Sequence, residues 1–190
     1  MRIIVISDTH GDYRALDKIV SSHIHTADLF IHLGDGRREI DSILIKYPEI
    51  ENRFLYVAGN CDFASSGSPY ICMCVDGHKL IAVHGHKQGV KYSLDSLKAA
   101  ALENNCDIAL YGHTHCRFMS YDDGLYIMNP GSASCPRDFK SPSYGLIDAS
   151  EKGVVMNIAV LSVDSLPLRL VFPYLQGQVP PLHGLSPHKE

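Results

Sequence analysis

The sequence has no excess of positive charge: 17 lysines and arginines stand against 21 aspartates and glutamates, for a formal charge of −4 and a pI near 6.2. A protein that tracks a nucleic-acid backbone carries a basic footprint, so general nucleic-acid binding is disfavoured. Long apolar runs are missing too. Nowhere do about 18 apolar residues follow one another, as a membrane span needs, and the apolar run in the opening MRIIVISDTH is too short for a secretory signal. A disulfide framework is also lacking. Six cysteines, Cys61, Cys72, Cys74, Cys106, Cys116 and Cys135, show no paired pattern, and Cys72 and Cys74 would share one strand face, a poor geometry for a bridge. With no internal repeat or low-complexity tract, the expectation is a soluble, unexported protein whose thiols stay free in a reducing cytoplasm.

What is present suffices for one compact domain: 190 residues, 45% of them hydrophobic. The first half alternates. Ile3 to Ile6 reads as a fully apolar strand, and Asp12 as the cap of a helix with Leu16, Ile19, Val20 and His23 on one face. Leu29 to Leu33 is the next strand, Arg37 to Tyr47 a helix with Ile40, Ile43 and Leu44 inward, and Phe54 to Val57 a third strand. This β-α-β-α-β order implies parallel strands with right-handed crossovers. Tyr70 to Val75 and Leu80 to Val83 read as a hairpin with a type I′ turn at Asp76-Gly77. A helix over Leu94 to Leu102 precedes the strand Ile108 to Tyr111. Short strands follow at Phe118 to Tyr121, Leu125 to Met128, Tyr144 to Asp148 and Val154 to Leu161, so the second half is expected to be mostly antiparallel. From Val163 the composition turns proline-rich, which marks residues 163–190 as a tail behind a domain of residues 1–162. Its apolar patch, Leu168 to Phe172, could dock on the domain or on a second subunit, making a homo-oligomer.

Three pieces carry metal-ligand side chains directly after apolar strands: Asp8-Thr9-His10, Gly34-Asp35 and Gly112-His113-Thr114-His115. In extended chain, residues i and i+2 point to the same side, so Asp8 with His10, and His113 with His115, can each grip one centre. Adding the other ligand-type residues at strand ends gives Asp8, His10, Asp35, Asn60, His84, His113 and His115. The carboxyl ends of strands are where α/β sheets gather their sites. Seven positions exceed what one ion needs once water and substrate take their share, so two metals with a shared bridging group fit better.

The pieces DTH, GD, GNCD, VHGH and GHTH, in this order, resemble the calcineurin-like metallophosphoesterases, and within them the small bacterial and archaeal phosphodiesterases. Asn129-Pro130-Gly131-Ser132 also resembles that group, and the likeness covers roughly residues 1 to 160. The resemblance implies an α/β/β/α sandwich of two mixed sheets flanked by helices. It implies Asp8, His10 and His115 as ligands of one metal, Asn60, His84 and His113 as ligands of the second, and Asp35 as the bridging carboxylate. The expected metal is Mn²⁺, with Fe, Ni²⁺, Zn²⁺ and Co²⁺ also compatible. Two ions bring about +4, Asp8 and Asp35 about −2, and a bridging hydroxide leaves about +1, which favours an anionic phosphodiester. That hydroxide would attack phosphorus in line while the Asn60 amide steadies the phosphoryl oxygens. Where many superfamily members carry a histidine after the asparagine, this chain has Cys61, which leaves proton delivery to the departing oxygen to a thiol.

Other residues divide between structural and functional readings. His32 sits inside an apolar strand and reads as a core histidine, Cys72 and Cys74 as small packing residues, and His23, His25, His78, His183 and His188 as solvated. Arg37 and Arg38 stand at a helix start, where positive charge opposes the dipole by up to about 1 kcal/mol. Arg37 and His86 are candidates for the substrate phosphate. Phe63, Tyr92 and Tyr111 are scattered and form no evident platform for a base. Two rivals stand beside a phosphodiesterase acting on a small substrate. One is a non-catalytic protein-binding scaffold like the phosphoesterase-like subunit of retromer. The other is a phosphomonoesterase, for whose extra charge only Arg37, Arg38 and Lys87 are candidate partners.

Overall fold

The computed structural model describes residues 1–63 and 67–161. In chain order they form β1 (Arg2–Ile6), α1 (Tyr13–His23), β2 (Leu29–His32), α2 (Arg37–Lys46), a 3-10 stretch (Pro48–Arg53), β3 (Phe54–Tyr56), β4 (Tyr70–Val75), β5 (His78–Val83), α3 (Asp95–Glu103), β6 (Ile108–Leu110), β7 (Arg117–Asp122), β8 (Leu125–Pro130), β9 (Ser143–Ser150) and β10 (Gly153–Val160). The expected tail, with its patch Leu168 to Phe172 and with His183 and His188, lies outside the described residues.

Two five-stranded sheets stack face to face, one in the order β10-β9-β1-β2-β3 and the other β4-β5-β6-β8-β7. Strand β1 has no polar face because it has no solvent side: Ile3 and Val5 enter the layer between the sheets, and Ile4 and Ile6 lie under the helices. The inter-sheet layer is closed from the second sheet by Leu80, Ala82, Ile108 and Leu110. Helix α1 starts where the Asp12 carboxylate accepts the Ala15 amide at 3.0 Å, and it buries Leu16, Ile19 and Val20 beside Ile40 and Ile43 of α2. Helix α3 covers the outer face of the second sheet through Leu97 and Ala101. Each fully buried leucine, isoleucine or valine among these contributes about 1.5–3 kcal/mol. The result is the α/β/β/α sandwich.

The strands β1, β2 and β3 are parallel, as their alternation with helices requires. At the Asp76-Gly77 turn both residues have positive φ, 43° and 86°, the type I′ geometry that matches strand twist. The second half is less antiparallel than expected. Strands β5 and β6 are parallel, joined by the α3 crossover, and β8 pairs parallel with β6 because β7 lies outside it at the sheet edge. The hairpin β9-β10 leaves that sheet altogether and pairs antiparallel with β1. Turn residues announce a reversal of chain but not which sheet receives the next strand.

Two histidines expected to be solvated are engaged instead. His23 Nε2 lies 2.9 Å from the Tyr144 hydroxyl. His78 reaches Asp107 Oδ2 through Nδ1 at 2.5 Å and the Ser150 carbonyl through Nε2 at 3.0 Å, tying β5 to the β9-β10 hairpin of the other sheet. The Asp107 hydrogen bond raises the His78 pKa above its ordinary 6.5. A raised folded-state pKa stabilises fully below the unfolded value, and that stabilisation fades as pH climbs through the folded value. His78→Gln is therefore expected to lower the melting temperature by about 2 °C at pH 5.5 and by less at pH 8.5, as thermal unfolding at the two pH values will read.

Candidate metal centre

All seven candidate ligands follow carboxyl ends of parallel strands: Asp8 and His10 after β1, Asp35 after β2, Asn60 after β3, His84 after β5, and His113 and His115 after β6. Stacking the sheets brings both sets of strand ends to one rim. Five of these residues have left-handed backbones, with φ of 54° at Asp8, 44° at His10, 58° at Asp35, 67° at His113 and 59° at His115. Such strain costs of order 1 kcal/mol per residue and persists where the surroundings over-determine it. Here the surroundings do: the Asp8 amide donates to the Gly34 carbonyl at 3.1 Å, the His10 amide to Asp35 O at 3.0 Å, and the Gly112 amide to His84 O at 3.0 Å. The motif glycines are needed for close approach. A Cβ on Gly59 would lie 2.0 Å from Asp35 Oδ1, and one on Gly112 2.0 Å from Ser7 Oγ.

The donor atoms converge with their lone pairs facing each other. Asp8 Oδ2 accepts from Ser7 Oγ at 2.5 Å and from the His113 amide at 3.0 Å. Its Oδ1 is buried with no hydrogen-bond partner and lies 3.3 Å from His115 Nε2. His115 Nδ1 donates to the Cys135 carbonyl at 2.7 Å, which in the neutral ring leaves the lone pair on Nε2, 3.1 Å from His10 Nε2. His84 Nδ1 likewise donates to Leu33 O at 2.7 Å, which turns its bare Nε2 toward Asn60 Oδ1 at 3.1 Å and Asp35 Oδ2 at 3.5 Å. Although burial works against it, Asp8 raises the His115 pKa, so this set of donors favours a positive charge in its midst, and a divalent metal fits it. Carboxylate, imidazole and amide together suit a first-row ion.

Three clusters have ligand atoms within 4.8 Å of one another: Asp8, His10 and His115; Asp8, Asp35 and His84; and His10, Asp35 and Cys61. Asp35 thus stands between the two sides, with Oδ2 also 3.7 Å from His10 Nε2 and Oδ1 held by the Cys61 amide at 2.7 Å. His113 is in none of the three; its ring lies edge-on to His84, 5.0 Å between centroids, and burial together with His84 and Lys91 pushes its pKa down to about 4. Burial alone would raise the Asp8 carboxyl, but His115, His84 and Ser7 hold it below the usual range.

The other candidates line the rim. Cys61 is exposed, its Sγ accepting from Asn60 Nδ2 at 3.2 Å, and burial together with Asp35 raises its thiol pKa. Arg37 borders the cavity over His10 and Asp35, yet its guanidinium pairs with Asp41 at 2.8 Å and stacks 4.5 Å from the Tyr56 ring centre. His86 packs beside His84, and its buried Nδ1 has no hydrogen-bond partner.

Two positions were given no role by the sequence reading, and a third was noted there only as part of Asn129-Pro130-Gly131-Ser132. The Asp62 carboxylate accepts four amides, those of Asp35 at 2.9 Å, Gly36 and Arg37 at 3.0 Å, and Gly59 at 2.8 Å. It caps α2, whose own N-cap Gly36 has no side chain to do so, and it gives Arg37 and Arg38 a negative neighbour at the helix start. Those amides hold Asp62 below the usual carboxylate range although burial works against them. The final letter of GNCD was the only signal. Buried Glu39 accepts the Thr9 hydroxyl at 2.8 Å and the Gly11 amide at 2.6 Å, and an acidic residue in a first helical turn gave no hint of this. Asn129 donates to the Gly112 carbonyl at 2.9 Å and to Thr114 Oγ1 at 3.0 Å, which is what the Asn-Pro-Gly-Ser segment does for the GHTH loop. His32 is the core histidine expected: Nδ1 accepts the Gly34 amide, Nε2 meets Thr9 Oγ1, each at 3.2 Å, and burial pushes its pKa down to about 4.

The profile of the calcineurin-like phosphoesterase superfamily domain matches residues 1–152. The chain belongs to that superfamily. It is 32% identical over 147 residues to the probable metallophosphoesterase YsnB of Bacillus subtilis, covering 77% of this chain and 83% of that one. Against the phosphodiesterase YfcE of Escherichia coli, identity is 25% over 175 residues, covering 82% and 91%. Among solved structures, a predicted phosphoesterase from Streptococcus pneumoniae superposes with a TM-score of 0.74 at 26% identity, covering 84% of this chain and 88% of that one. Vps29 of Chaetomium thermophilum shares the fold alone, with a TM-score of 0.65 at 21% identity and coverage of 83% and 96%. Membership implies divalent metal ions, and the relatives in this superfamily include named phosphodiesterases. No helix among the described residues is long and apolar enough to cross a membrane.

If Asp62 positions the ligand loops, Asp62→Ala will lower stability by about 2 kcal/mol in thermal unfolding. It will also weaken Mn²⁺ binding by about tenfold or more in calorimetric titration. Unchanged metal affinity would show that the loops hold their geometry without it.

Proposed function

We propose that this protein is a phosphodiesterase using two divalent ions, with Asp8, His10 and His115 holding one, Asn60, His84 and His113 the other, and Asp35 shared between them. The observation that supports it best is the position of Asp35 Oδ2, 3.7 Å from His10 Nε2 on one side and 3.5 Å from His84 Nε2 on the other. Such ions, Mn²⁺ first among them, supply Lewis acidity at the phosphoryl oxygens and an activated water as nucleophile. The protein's own part is to fix the donors. Backbone carbonyls set the tautomers of His84 and His115, and the Cys61 amide fixes one oxygen of Asp35 so that the other faces the centre. Asn60 Nδ2 and the His86 ring are the groups that would meet a phosphoryl oxygen, and Arg37 would add charge at the rim. The Cys61 thiol, kept protonated by burial and by Asp35, is the hydrogen donor beside a departing oxygen, and it suits good leaving groups better than poor ones.

A diester fits better than a monoester because the rim is poor in uncommitted positive charge: Arg37 is paired with Asp41, leaving Arg38 and Lys87 to meet a dianion. The scaffold reading is disfavoured by the buried, unpartnered Asp8 Oδ1, which a purely structural site has no reason to retain. The catalytic unit is residues 1–162, acting on a small diester in a reducing cytoplasm where the exposed Cys61 and Cys135 remain thiols.

Asp35→Asn is expected to remove nearly all hydrolysis of bis-p-nitrophenyl phosphate and to lower the bound metal measured by elemental analysis; wild-type activity would refute the shared-carboxylate role. Cys61→His is expected to keep both metals and raise turnover on diesters with poor leaving groups. An unchanged dependence of rate on leaving-group pKa would mean that this position does not face the departing oxygen.

A further inference from the structure

Away from the candidate centre, two thiols lie in contact. Cys72 Sγ stands 3.8 Å from Cys106 Sγ, although the residues are 34 positions apart in the chain. Both sulfurs belong to the apolar layer under α3, with Ile81, Leu97 and Ala101. The sulfurs of Cys61, Cys116 and Cys135 instead meet Asn60 Nδ2, the Thr114 carbonyl and Ser134 Oγ. As small apolar groups, Cys72 and Cys106 pack no better than alanine or valine would. What sets the pair apart is the bond open to it.

To form that bond the sulfurs must close by about 1.7 Å, to a length of about 2.05 Å. The Cys106 backbone is fixed. Its amide donates to the Ala101 carbonyl at 2.8 Å where Asn105, with φ of 53°, ends α3, and the next amide, that of Asp107, donates to Lys79 O at 2.9 Å. Cys72 has more freedom: its strand β4 stands at the edge of its sheet and pairs with β5 alone among the described strands. The approach therefore falls to β4, through small shifts of an edge strand and of one side chain.

Exposure sets the order of events. Cys72 is half-buried and within reach of a small oxidant, whereas Cys106 is buried, and burial together with Cys72 pushes its thiol pKa up to about 11. We infer that Cys72 and Cys106 are a redox modification site, at which a hydroperoxide makes a reversible disulfide that clasps edge strand β4 to the start of β6. The Cys72 sulfur attacks the O–O bond and keeps one oxygen as sulfenic acid, while the other oxygen leaves as water or an alcohol. The Cys106 sulfur then displaces the retained oxygen. The S–S bond forms as the S–O bond breaks, and that oxygen departs as water with the Cys106 proton. Two electrons pass from the two thiols to the peroxide, and a dithiol reductant restores them. The closed ring contains β5, His84 and α3, so the bridge restrains the strand that carries a candidate metal ligand.

The test treats the Mn²⁺-loaded full chain with hydrogen peroxide, caps the remaining thiols with N-ethylmaleimide in urea and maps the peptides by mass spectrometry. A linked Cys72–Cys106 peptide is expected, reversed by dithiothreitol and retained in Cys74→Ala, whose missing thiol lies two residues along the same strand. The oxidised wild type is expected to melt about 8 °C above the reduced protein, the effect of closing a ring of about 35 residues. That gap should vanish in Cys72→Ala. The mapping decides on the wild type alone, whether or not a variant folds. Free Cys72 and Cys106 after the exposed Cys61 and Cys135 have oxidised, Cys72 trapped as sulfinic acid, or Cys72 bridged to another cysteine would each overturn the inference. A Cys72–Cys106 bridge that leaves the melting temperature unchanged would refute the clasp.

Discussion

The structure depends on a concentration of electron-pair donors held facing one another. Asp8 Oδ1, the bare nitrogens of His84 and His115, Asn60 Oδ1 and Asp35 Oδ2 are held within a few ångströms of one another, and their outer atoms are locked by carbonyls and amides that forbid escape by rotation. Such a cluster favours a positive charge in its midst, as the raised His115 pKa beside Asp8 reflects, and burial makes that attraction stronger than in water. A fold that keeps such donors together does so at the expense of its own stability, which is the usual mark of a site built for a ligand.

The restraint comes from a ring of groups just outside. Asp62 gathers amides from two loops at the start of α2; the chain of His32, Thr9 and Glu39 binds the loops after β1 and β2; Asn129 and Ser132 hold the GHTH loop and the Asp8 carbonyl. Each is a buried or half-buried polar group with hydrogen-bond partners, and most of these bonds cross from one loop to another. The donor geometry is therefore a property of the sandwich as a whole, and a local change in one loop is transmitted to ligands on the opposite sheet.

Much of this was legible in the sequence for identifiable reasons. Fully apolar strands such as Ile3 to Ile6 mark a sheet buried on both faces, and Asp8, His10 and Asp35 stand directly after such strands, so their convergence follows from parallel order. The type I′ turn at Asp76-Gly77 was equally plain. What was hidden depends on distance. No local pattern tells that β7 lies outside β8, that β9 leaves one sheet for the other, or that His78 binds across to Ser150. Asp62 and Glu39 look like ordinary surface acids in the sequence. Only the approach of a second loop makes one a helix cap and the other a clamp.

The central place of β1 sets the order in which the molecule can come into being. Its neighbours are β2 on one side and β9 on the other, so one edge of this apolar strand stays open until residues near 150 have been made. The donor set is complete only at His115, and its supports at Asn129 and Ser132 come later still. A growing chain on the ribosome therefore presents a sticky, half-paired sheet and an unfinished set of ligands for most of its synthesis, and metal can be captured for good only by a nearly finished polypeptide.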